Sequence, residues 1–93
     1  MDPQLHRLHF LLLGYLLNQA RLQAALDLPT AAARWGQAVE RLEALEAGEP
    51  VDWWEVRTLI AGYGLDFVAF AEVYDQRATA LSAPLPNLVP TRH

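Results

Sequence analysis

Three arginines, four glutamates and a pair of tryptophans are the residues whose type and spacing could do chemistry in this chain. Arg34, Arg41 and Arg57 carry guanidinium groups able to grip phosphate oxygens. None has an acid three or four residues away, so no pairing along its own helix neutralises it. An ionic partner must come from another helix, another chain or a ligand; the plain alternative is that all three decorate solvent faces. Glu40, Glu43, Glu46 and Glu49 recur every three residues. On one helix such a run more often means a solvated acidic surface than an acid–base pair. Adjacent Trp53 and Trp54 cannot both face one core. One packs under its helix, and Trp54 is a candidate interface anchor, since Trp is enriched at binding hot spots; otherwise it is a partly covered surface residue.

Other chemistries find little to work with. His6 and His9 are three apart, which on a helix puts both imidazoles on one face, a metal-ligand spacing in principle. No second ligand cluster accompanies them and His93 is near the end of the sequence, so no metal and no cofactor are expected. There is no cysteine, and Thr58, Thr79, Ser82 and Thr91 stand in no recognisable arrangement with a histidine and a carboxylate. No glycine-rich phosphate loop is present, so the chain is not expected to be an enzyme. Seven basic residues, all arginine, stand against eleven acids, for a net charge of −4. That balance argues against a diffuse electrostatic grip on nucleic acid and leaves room only for a small local basic patch.

Helices must position these residues. β-branched residues are scarce and Ala, Leu, Glu, Gln and Arg dominate, so no strand is expected. Pro3 sits ahead of or inside the first turn of a helix running to about Ala25. Leu5, Leu8, Leu12, Tyr15, Leu16, Leu22 and Leu26 keep helical spacing, broken at Gln19, and Leu11, Leu13 and Leu17 add a second apolar face. A chain of 93 residues cannot easily bury a helix on several sides. Dimerisation through this helix is therefore expected, with Leu8, Leu12 and Tyr15 at the interface. The apolar stretch from Leu8 to Leu17 is about half of the roughly 20 residues a membrane span needs. The opening Met-Asp-Pro-Gln lacks the basic start of a secretory signal. The chain reads as soluble and cytoplasmic, with no membrane partner.

Asp27-Leu28-Pro29-Thr30 ends the first helix and opens the next, with Asp27 or Thr30 as N-cap. From Thr30 to Ala47 two readings stand. Ala31, Trp35, Ala38, Leu42 and Leu45 keep the spacing of one continuous helix, and a lone Gly36 costs only about 1 kcal/mol inside one. The other reading is two short helices with a turn at Gly36-Gln37. Gly48-Glu49-Pro50 then ends a helix, and Asp52 to Glu55 has the spacing of a capping box opening a helix to about Gly62. Gly64 supplies a left-handed cap, and Asp66 caps a last helix from Phe67 to about Leu81, with Phe67, Phe70, Ala71, Tyr74 and Ala78 as its apolar stripe. Residues 1–81 form one helical domain. Residues 82–93, with Pro84, Pro86 and Pro90, form a Pro-rich tail, a solvated end in preference to a docking arm.

Gly36 and Gly48 lie twelve apart with Leu42, Leu45 and Glu46 between them. Pro50, the largely apolar run from Trp53 to Ile60 and the turn Tyr63-Gly64-Leu65-Asp66 follow. Over about Leu17 to Phe70 this resembles the Xre-type, phage-repressor-like helix-turn-helix family. The resemblance implies a helix-turn-helix at about 27–48 and favours the turn reading. In it Ala32 packs against the turn, Trp35, Leu42 and Leu45 enter the core, and Arg21 pairs with Glu46. It also implies that Gln37, Val39, Glu40, Arg41, Glu43 and Ala44 face the major groove. The chain departs from the family where DNA is gripped. Asp27 and Leu28 stand where a polar phosphate ligand is usual, and the reading helix is acidic.

The fold expected is thus all-α, four to five short helices in a repressor-like bundle with a long apolar N-terminal helix. The leading function is a small transcription regulator binding double-stranded operator DNA as a homodimer, an expectation drawn from the family. In it Gln37, Glu40, Arg41 and Glu43 face bases, and Arg34 and Arg57 face phosphate. The alternative is a degenerate helix-turn-helix that has kept its core and serves as a protein-interaction or oligomerisation module. A third reading has the acidic surface occupying a partner's nucleic-acid site.

Overall fold

The computed structural model describes residues 3–82, with side chains described over 7–81. The His6 side chain, Pro84, Pro86, Pro90, Thr91 and His93 lie outside the described residues. The chain is all-α: α1 (Pro3–Gln23), α2 (Leu28–Trp35), α3 (Val39–Glu46), α4 (Trp53–Gly62) and α5 (Phe67–Ser82), with no strand among the described residues. No helix is long and apolar enough to cross a membrane among them.

The starts of α2, α4 and α5 follow from short acidic side chains placed one residue ahead. Asp27 accepts from the Thr30 amide at 2.8 Å and Asp52 from the Glu55 amide at 2.9 Å. Asp66 does the same for Val68 at 3.0 Å. Each satisfies an amide that has no partner within its helix. The ends of α1 to α4 share one device, a left-handed residue whose neighbours' amides fold back on the last turn. Gly36, Gly48 and Gly64 fill that place in α2, α3 and α4, at φ of 82°, 103° and 75°. Ala25 fills it after α1, at φ 59°, so α1 stops two residues short of the expected Ala25.

Residues 30–47 take the two-helix reading. The Gly36 amide bonds Ala32 and Ala33 carbonyls and the Gln37 amide reaches Ala32 at 3.1 Å, closing α2. Ala38 begins α3 with no side-chain cap, so this helix depends on packing rather than on its own start. Leu42 and Leu45 supply that, at 0% and 1% exposure. Around them lie Leu13, Leu17, Ala20, Ala31, Ala32, Val56, Leu59 and Ile60, one core drawn from α1 to α4. Each large aliphatic side chain there contributes about 1.5–3 kcal/mol by leaving water. The half-buried Phe67, Phe70 and Tyr74 of α5 pack against it.

α1 lies against α3 and α5, α2 against α3 and α4, and α4 against α5. The tightest approach is at Gly14, where a β-carbon would sit 2.5 Å from the Leu45 carbonyl oxygen and 2.8 Å from that of Glu46. Only hydrogen fits between α1 and the C-terminal end of α3.

Candidate functional site

α3 is anchored from its inner side. Glu46 accepts from Arg21 Nε at 2.8 Å through Oε2, and from Arg21 Nη2 at 3.2 Å and Asn18 Nδ2 at 2.9 Å through Oε1. Arg21 Nη1 also donates to the Leu26 carbonyl at 2.9 Å, tying the end of α1 into the cluster. Both charged side chains are about nine-tenths covered. The hydrogen bond to Glu46 raises the Arg21 pKa above its ordinary value. Beside them the buried Tyr63 hydroxyl has no hydrogen-bond partner among the described residues. Burial, then the Glu46 charge, push its phenol up from the usual value. Glu46 is therefore a structural counter-ion and not part of an outer acidic surface.

The outward side of the α2–α3 unit has a different character. Gln37, Glu40 and Glu43 are exposed, and Val39, Arg41 and Ala44 are half-buried. Arg41 Nη2 reaches both carboxylate oxygens of Glu55 on α4, at 3.2 and 3.3 Å. Its ionic partner thus comes from another helix. The same contact changes the α4 capping box: Asp52 caps, but Glu55 turns to Arg41 instead of reaching back. A charge-assisted bond to a guanidinium is stronger than one to a neutral amide. Arg34, in the last turn of α2, and Arg57, on α4, are exposed and hold no ion pair among the described residues.

Two carboxylates therefore stand on the exposed face of α3 with its one arginine engaged elsewhere. At the start of α2, where a phosphate would need free amides, the Asp27 carboxylate already holds one of them, that of Thr30, and brings a negative charge of its own. Hydrogen bonding by the Thr30 side chain, and then by its amide, holds that carboxyl below the usual carboxylate range. Chemically this surface suits a cationic group.

The expected interface residues divide. Leu8, Tyr15 and Trp54 are exposed, Trp54 at 69%, and Leu12 is half-buried. Trp53 packs edge-on against Phe67 at 5.9 Å and Tyr74 at 5.1 Å yet is itself 44% exposed, so neither tryptophan is buried under the helix as one was expected to be. His9 lies edge-on to Tyr74 at 6.5 Å. Reasoning from sequence missed Glu55 as the partner of Arg41, for which no spacing along the chain gives a signal. Leu22, expected on one apolar face with Leu8 and Tyr15, and Leu11, expected on a second, are both exposed. The spacing of Leu11 from Leu8 and Tyr15, three and four residues, is a signal that could have placed it with them.

No protein-family model, no curated protein and no solved structure matches this chain.

Proposed function

We propose that this chain is a protein-interaction module whose α3 presents an acidic face to a basic partner surface and does not read DNA. The observation carrying this reading is the charge of that face. Glu40 and Glu43 point outward while Arg41 is engaged by Glu55. A helix entering a DNA groove approaches two rows of phosphates, and each uncompensated carboxylate opposes it. A cytoplasmic placement belongs with this reading.

Operator binding by a dimer is the second reading, and specific features favour it. Gly36 turns the chain between α2 and α3, Leu42 and Leu45 are buried beneath the outward face, and Arg21 pairs with Glu46, all as the repressor-like resemblance implies. Arg34 and Arg57 remain available for phosphate, and one exposed glutamate can accept from cytosine N4.

Titration of a mixed-sequence duplex across a salt series separates the two. The unaltered chain is expected not to bind even at low salt. The double variant Glu40→Lys, Glu43→Lys is expected to gain a salt-sensitive affinity, because it reverses the sign of the face while leaving the scaffold. Binding by the unaltered chain that weakens steeply with salt would establish operator reading instead.

A further inference from the structure

α1 turns outward a face that no other helix covers among the described residues. Leu8, Leu11, Tyr15 and Leu22 are 47%, 42%, 54% and 55% exposed, while Leu13, Leu16, Leu17 and Ala20 are buried. With about 3.6 residues per turn, the four exposed positions fall within a strip roughly 60° wide. Exposed Gln19 and half-buried Leu12 border it on one side. From Leu8 to Gln23 no charge lies on this strip, because Arg21 is turned inward to Glu46. Leucine and tyrosine without charge is the composition of an interface centre.

The spacing is symmetric about Tyr15. Leu8 is seven residues before it and Leu22 seven after; Leu11 is four before and Gln19 four after. A strip with the same spacing in both directions suits a two-fold axis, across which one patch meets its own copy. We infer that α1 pairs antiparallel with the α1 of a second copy, the axis passing at Tyr15, so that Leu8 packs against the partner's Leu22. A parallel pair would set Arg7 beside the partner's Arg7, whereas the antiparallel one brings it near the partner's Gln23 and opposes the two helix dipoles. The strip is about 21 Å long at 1.5 Å per residue. Its four side chains offer on the order of 400 Å² per copy, and flanking residues bring a pair toward the roughly 1,200 Å² at the lower end of stable interfaces. The dimer is accordingly concentration-dependent. It does not rest on what α3 binds.

The chain has no cysteine, so introduced cysteines report register directly. Tyr15→Cys is expected to cross-link to itself. A mixture of Leu8→Cys and Leu22→Cys is expected to give the mixed product, and Leu8→Cys alone to give none. Tyr15→Glu, at an outward position, is expected to halve the mass seen by sedimentation while the helical circular dichroism is unchanged. A monomeric unaltered chain across micromolar to millimolar concentration, self-linking by Leu8→Cys, or a dimer that survives Tyr15→Glu overturns the inference. DNA titration is scored separately, so failure of this pairing and failure of the acidic-face reading are distinguishable.

Discussion

At the scale of single residues, charge pairs decide what each group is for. Glu46 belongs to a spaced row of glutamates by sequence, yet its carboxylate is consumed by Arg21 and Asn18. Removing one member of a nearly buried pair strands the other, which typically costs about 3 kcal/mol or more. Glu46→Ala should therefore lower the free energy of unfolding by that order in a urea titration, and a loss below about 1 kcal/mol would contradict a structural role. Glu43→Ala, on the exposed face, should change stability little. Asp27 governs a pH effect. Its folded pKa lies below the unfolded value near 4, so its contribution is present above that value and is lost as pH falls through the lower folded one. Asp27→Asn should flatten the acid limb of the stability curve below about pH 4, and an unchanged limb would remove Asp27 from the account.

Among the elements, two positions carry opposite predictions about the same helix. Gly14 interrupts an apolar run, and its helical propensity alone favours Ala. The close carbonyls of Leu45 and Glu46 reverse that preference. Gly14→Ala should destabilise by about 1–3 kcal/mol as α1 and α3 are pushed apart, and a rise in Tm would show that this contact yields freely. Ala25 shows the converse. It holds a left-handed conformation at φ 59°, which costs a residue with a β-carbon about 1–2 kcal/mol. Ala25→Gly should recover part of that despite glycine's greater chain entropy, raising Tm by a few degrees. A lower Tm would mean the chain entropy outweighs the relieved strain.

For the whole molecule, the outer face of α1 and the acidic face of α3 are formed by different residues, apolar on the first and carboxylate on the second. If two copies associate through α1, the folded state gains stability with concentration by mass action. Tm of the unaltered chain should rise with protein concentration and that of Tyr15→Glu should not. Parallel concentration curves for the two would place the association elsewhere.

Composition and periodicity alone led to an all-α chain, because scarce β-branched residues and 3.6-residue spacing leave no strand to build. Caps at Asp52 and Asp66 and the break at Gly64 were legible because they act over three or four residues, whereas Asp27 and Thr30 stood as alternatives until the structure showed Asp27. The Gly36 turn was only half legible: the same apolar spacing suits one helix or two, and the left-handed Gly36 with the Gly36 and Gln37 amides folded back on Ala32 decides it. Arg21 with Glu46 came from the family resemblance and lies 25 positions apart in the chain. Arg41 with Glu55 could be known only once α3 and α4 were placed side by side. The tertiary structure alone shows that Gly14 is a contact point and that Leu11, not Leu12, shares the exposed face of Leu8, Tyr15 and Leu22. Which side of an apolar helix stays wet depends on how many neighbours it has, and that is a property of packing, not of the helix.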